Sequence, residues 1–117
     1  MRSGLREGPI VDEIEGEHFQ ATWAVDARRL TLHVGGEFDY HAADRLLRVV
    51  PEFHRAWYIE IDLTEVTFID SSAIAFLLGL RRSAVPVSFE TRGSDIVNRA
   101  AELIGVAELL GLVTAPR

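Results

Sequence analysis

Ile-Asp-Leu-Thr-Glu-Val-Thr-Phe-Ile-Asp-Ser-Ser-Ala-Ile-Ala-Phe-Leu-Leu, running from Ile61 to Leu78, decides the fold. Ile61 and Leu63 continue an alternation begun at Trp57 and Ile59, with Tyr58, Glu60 and Asp62 between them. That is the period of a strand with one buried face. Asp70, Ser71 and Ser72 are helix-start residues. From Ala73 to Leu80 the chain is almost wholly apolar, which predicts a helix from Ser71 to about Ser83. The segment therefore reads as a buried strand, a short loop, and a serine pair at the mouth of an apolar helix. A hydroxyl there sits where free backbone N–H groups and the helix dipole favour negative charge. The fold tolerates a phosphate at that point, while the surface changes completely. The pattern suits a switch better than a catalyst.

Upstream, Phe19 to Val25 reads as an edge strand, and Leu30, Leu32 and Val34 alternate with Thr31, His33 and Gly35 as a half-buried one. Asp26 to Arg29 joins them as an antiparallel hairpin. Gly35 and Gly36 break the second strand, and Asp39 suits the N-cap of a helix carrying Ala43, Leu46, Leu47 and Val50 on one face. Pro51 ends or kinks that helix. Downstream, Val85 to Glu90 predicts a fourth strand whose first residues Pro86 confines to an edge or a strand start. Thr91 to Gly93 turns the chain. Ser94 caps a helix bearing Ile96, Val97, Ala100, Ala101 and Ile104, Gly105 stops it, and Val106 to Leu112 forms a short helix or turn. The expected order is β-β-α-β-α-β-α. It implies an α/β domain with a mixed, mostly parallel sheet of four to five strands and helices covering it. Residues 1–17 are expected to form a flexible N-terminal arm and residues 18–114 the domain.

Composition narrows the chemistry. A chain of 117 residues, 48% hydrophobic and 26% charged, supports one core. The net charge of −6, without a basic stripe, argues against nucleic acid as a partner. Absence of Cys removes disulfides, thiol catalysis and Cys-based zinc sites. All twelve basic residues are Arg, so every mechanism needing a Lys is excluded. His18, His33, His41 and His54 lack metal-ligand spacing, so neither metal nor cofactor is expected. No apolar run reaches the roughly 20 residues of a membrane helix. The start of the chain lacks the apolar stretch of a secretory signal. Direct membrane insertion is not expected, and the compartment is expected to be the cytoplasm.

Gly36-Glu-Phe-Asp39 before a helix, followed by the Ile61–Ile74 segment, resembles the STAS domain. That fold is shared by anti-sigma factor antagonists and by cytoplasmic domains of sulfate transporters. Val97 to Leu110 is similar to the family's closing helix, and the likeness spans residues 19 to 113. The resemblance implies a non-enzymatic bacterial signalling protein that regulates transcription by partner switching. On that reading Ser71, directly after the Asp, is the phosphoacceptor, with Ser72 second to it as a neighbour or cap. The unmodified protein binds an anti-sigma factor that is also a serine kinase of the histidine-kinase-like ATPase type. The phosphorylated protein releases it, and a phosphatase resets the cycle. Asp39 and Asp70 flank the site, either at the partner surface or simply as helix cap and strand end. One departure stands out: many members carry Gly after the serine pair, whereas this chain has Ala73.

Two questions stay open at the level of sequence. Ala73, Phe76 and Leu80 lie beside the Ile74, Leu77 and Leu78 stripe. They form either a partner-binding apolar face or part of a helix buried all round. The family also includes accessory subunits of membrane transport complexes that dock onto an ATPase, and fold does not separate the two roles. Other α/β classes fit poorly. A receiver domain needs a Lys, and a serine hydrolase needs glycines on both sides of its nucleophile.

Overall fold

The computed structural model describes residues 10–49, 56–84 and 86–112. Five strands form one sheet: β1 (Ile10–Glu15), β2 (Phe19–Asp26), β3 (Arg29–Phe38), β4 (Tyr58–Ile69) and β5 (Ser88–Gly93). They lie side by side in chain order. β1–β2 and β2–β3 are antiparallel, while β3–β4 and β4–β5 are parallel. The described residues also form three helices: α1 (Tyr40–Val49), α2 (Ser71–Ala84) and α3 (Asp95–Ile104). The α/β class and the mixed, helix-covered sheet are as the sequence predicts, with antiparallel and parallel pairings in equal number.

The observed order is β-β-β-α-β-α-β-α, with one strand more than expected. Residues 10–15, assigned from sequence to the flexible arm, instead pair along β2 from Ile10 against Val25 to Glu15 against Gln20. Val11, Glu13 and Glu15 alternate with Ile10, Asp12 and Ile14, so acidic side chains hide the strand period. Strand boundaries also move. β3 runs on through Gly35 and Gly36 to Phe38, and β4 continues to Ile69 with no loop before Asp70. β5 starts after Pro86 and includes the expected turn at Thr91 to Gly93. Gly36 has φ +83, and a Cβ there would collide with the His18 carbonyl, which accepts the Glu37 N–H at 2.8 Å.

The helices pack on one face of the sheet. Both parallel crossovers, β3-α1-β4 and β4-α2-β5, progress in the same direction and so place their helices on the same side. Leu30, Leu32 and Val34 of β3 and Ile59, Ile61 and Leu63 of β4 meet Leu46, Phe76, Leu77 and Val97 there, in a single core. Within α1, Ala42, Ala43 and Leu46 are buried and Leu47 is exposed, contrary to its expected core position. Val50 and Pro51 lie outside the described residues. In α3 the Ser94 hydroxyl accepts the Val97 N–H, and Gly105 closes the helix in the left-handed region, both as expected. Only Val97 and Ala101 of its apolar residues are buried, while Ile96 and Ile104 are exposed. The other face of the sheet is open and polar, a shallow basin of about 450 Å³ floored by residues including His33, Glu60, Asp62, Glu90 and Arg92.

Candidate functional site at two helix starts

β3 and β4 end together, Phe38 being paired with Ile69. The next residue of each strand is an Asp, and the next begins a helix. Asp39 caps α1: its Oδ1 accepts the Ala42 N–H at 3.1 Å, and its carbonyl accepts the Ala43 N–H at 2.9 Å. Asp70 caps α2 in the same way, with Oδ1 accepting the Ala73 N–H at 3.0 Å and its carbonyl the Ile74 N–H at 3.2 Å. Asp70 also crosses to the neighbouring helix. Its Oδ2 accepts the Tyr40 N–H at 3.0 Å, and its own N–H donates to the Phe38 carbonyl at 3.4 Å. One carboxylate thereby ties two helix N-termini together, and each end favours negative charge.

Ser71 and Ser72 occupy the first two positions of α2 and are both exposed. Neither hydroxyl has a hydrogen-bond partner among the described residues. Their N–H groups lie within the first turn, where no intrahelical acceptor exists. The cap is therefore Asp70, and the serine hydroxyls remain available to solvent. Asp39, Asp70, Ser71 and Ser72 come together at the two helix starts.

The apolar half of the expected site does not. Ala73, Phe76 and Leu80 are 0%, 7% and 4% exposed, so they belong to the core and present no docking face. Phe76 meets Phe38 edge-on with ring centroids 6.1 Å apart. The reason is geometric: α2 packs against α1 as well as over the sheet, so its Ala73–Phe76–Leu80 side is covered as well as its Leu77 side. What α2 shows to solvent near its start is small: the two hydroxyls of Ser71 and Ser72 and the methyl of Ala75.

An aromatic rim replaces the expected face. Tyr40 is exposed and its ring lies 4.8 Å from that of His41. Phe68 is half exposed at the end of β4. Strand alternation alone puts Phe68 on the same side as buried Val66. The β3–β4 register slips there, with Gly36 against Val66 and Glu37 against Phe68, so Thr67 is an extra residue that turns Phe68 outward. Tyr40 and His41 had a sequence signal, as the residues after the Asp39 cap, and Phe68 had none.

On the open face the Asp62 carboxyl is displaced. Burial pushes the Asp62 carboxyl up, but hydrogen bonds from the Thr64 hydroxyl and N–H and the nearby His33 ring outweigh it, holding the group below its usual range. His33 contacts Asp62 at 3.5 Å through Nδ1 and Glu65 at 3.1 Å through Nε2. No group of three or more metal-ligating side chains is found among the described residues. No helix among them is long and apolar enough to cross a membrane.

The site is thus built on two helix starts converging at the ends of adjacent parallel strands, each closed by an Asp. The family model for the STAS domain matches residues 20–112, and the chain belongs to that family. β1 precedes the matched region. The structure of the anti-sigma factor antagonist SpoIIAA in its unphosphorylated form is similar, at 17% identity over 92% of this chain and 90% of that one, with a TM-score of 0.64. The Bacillus cell fate determinant SpoIIAA in the phosphorylated form is likewise similar, at 16% identity over 92% and 93% with a TM-score of 0.61. A sulfate transporter family protein from Wolinella succinogenes is 25% identical over 69% of this chain and 70% of that one, with a TM-score of 0.55. At such identities the SpoIIAA likeness is one of fold. No curated protein is significantly similar in sequence.

Proposed function

We propose that this protein is an anti-sigma factor antagonist-like regulator, non-enzymatic and cytoplasmic, whose switch is phosphorylation of Ser71. Unmodified, it binds an anti-sigma factor kinase of the histidine-kinase-like ATPase type. Phosphorylated, it lets go, and a phosphatase returns it. The observation that carries this reading is the free, exposed Ser71 hydroxyl at the first position of α2, beside the Asp39 and Asp70 caps. Its fold is that of a protein known in both unphosphorylated and phosphorylated forms.

The electrostatics fit a switch. A phosphate adds about −1.5 to −2 charges. The α2 dipole favours it within the free domain, so the fold persists. In a complex the same charge loses water next to two carboxylates, and the association weakens. The docking surface on this reading is Ser71, Ser72 and Ala75 with the Tyr40, His41 and Phe68 rim. Incubation with a cognate kinase and ATP, followed by peptide mapping, tests the site, and modification at Ser72 alone counts against it. Ser71→Asp is expected to weaken kinase binding at least about tenfold, or about 1.4 kcal/mol, with an unchanged melting curve.

A second reading rests on the likeness to the sulfate transporter family protein. On that reading this chain is an accessory subunit of a membrane transport complex, docking onto its ATPase. Copurification with a permease and its ATPase, undisturbed by Ser71→Asp, favours that role.

A further inference from the structure

The basin on the open face of the sheet plays no part at Ser71, and its charges do not balance within the domain. Its lining includes five ionisable side chains, His33, Glu60, Asp62, Glu90 and Arg92. Three of them are matched. Arg29 donates to Glu60 Oε2 at 3.1 Å. Asp62 Oδ1 accepts the N–H and the hydroxyl of Thr64, and its Oδ2 faces His33 Nδ1 at 3.5 Å. Glu90 and Arg92 are left over. Both are exposed on β5, two residues apart and therefore on one face. Neither side chain makes an ion pair or a hydrogen bond among the described residues. Their cross-strand neighbours cannot serve them. Glu90 stands opposite Glu60, a like charge, and Arg92 stands opposite Asp62, whose oxygens are engaged.

A free carboxylate beside a free guanidinium suits a small molecule that carries an ammonium and a carboxylate together. Away from these charges the lining turns small and apolar. From Glu90 the directly paired positions run through Glu60 to Thr31, Ala24 and Val11, the last 66% exposed. At about 4.8 Å per strand, Thr31 lies about 10 Å from Glu90. We infer that the open face binds a free α-amino acid with a large apolar side chain. Its ammonium sits at Glu90, its carboxylate at Arg92, and its side chain lies across Thr31 towards Ala24. The volume of about 450 Å³ lies within the range of small-molecule sites. The basin is shallow and its charges are hydrated, so binding is weak, with a dissociation constant on the order of 1 mM.

Free phenylalanine titrated into the isotope-labelled full chain to about 20 mM tests this. Amide resonances of Thr31, Glu60 and Arg92 should shift and saturate, while those of Ser71 and Ser72 stay in place. Phenylalaninamide keeps only the ammonium, N-acetylphenylalanine keeps only the carboxylate, and glycine lacks the tail. Each should bind about threefold to fivefold more weakly than phenylalanine. Glu90→Gln and Arg92→Gln should weaken phenylalanine by a similar factor, and both side chains are exposed, so the fold persists. Glu13→Gln, on the same face but outside the basin, should bind as the parent does. Absence of a saturable shift overturns the inference. An analogue that matches phenylalanine overturns it too, as does a Glu13→Gln protein as weak as Glu90→Gln.

Discussion

Asp70 holds two helix starts with one side chain, and the cost of removing it follows from that geometry. Asp70→Ala deletes the cap on the Ala73 N–H, worth about 1 kcal/mol. It also deletes the bond from the Tyr40 N–H to a charged acceptor, about 1.5 kcal/mol at such an exposed position. Losing a carboxylate near two positive dipole ends adds about 0.5 kcal/mol. The sum is about 3 kcal/mol, a large part of the roughly 5–15 kcal/mol that holds a domain together. Asp39→Ala deletes one cap only, about 1 kcal/mol. Asp70→Asn falls between them, because an amide offers a single acceptor where the carboxylate uses two. Urea unfolding measures all three: with a slope near 2 kcal/mol/M the midpoints drop by about 1.5 M for Asp70→Ala and about 0.5 M for Asp39→Ala. Equal losses for the two alanine variants would refute the double cap, as would an Asp70→Asn protein as stable as the parent. The Tyr40 amide resonance gives an independent local readout. It should move in Asp70→Asn and stay in place in Ser72→Ala.

Phe76→Ala should destabilise by about 3–5 kcal/mol and Leu80→Ala by about 2–5 kcal/mol, as core deletions do. Ala75→Glu should change the thermal midpoint little, since surface substitutions stay within about 0.5 kcal/mol. A stable Phe76→Ala protein that merely lost partner binding would restore the docking-face reading. Asp62, held low by Thr64 and His33, contributes stability that is present above its unfolded pKa and is lost as pH falls through the folded one. The half-exposed site limits this to under about 1 kcal/mol. The gap between parent and Asp62→Asn in urea midpoint should therefore be visible at neutral pH and close as pH falls below the usual carboxylate range. A gap independent of pH would show that the carboxylate's charge contributes nothing.

Chemistry and period separate what was legible in the sequence from what was not. Asp39, Asp70, Ser94 and Gly105 act where local hydrogen-bonding rules put them, because a cap depends only on residues within one turn. β1 escaped because half its face is open and its acids resemble a solvated arm, so pairing with β2 overrides weak strand propensity. Phe68 escaped because a register slip between neighbouring strands is a property of the pair. The stripe on α2 escaped for a different reason: composition showed an all-apolar helix, while burial depends on α1 lying beside it.

That last point changes what a partner can recognise. If Phe76 and Leu80 were exposed, association would rest on apolar area, and a phosphate at Ser71 would act from the edge of a greasy contact. With both sealed in the core, the surface around Ser71 is two hydroxyls, Ala75 and an aromatic rim. Contacts of that kind depend on close approach and on hydrogen bonds, where one desolvated charge outweighs several methyl groups. On the proposed reading, the small, polar helix start makes a single phosphate decisive. The core-bound face of α2 keeps Ser71 in place while the charge on it changes.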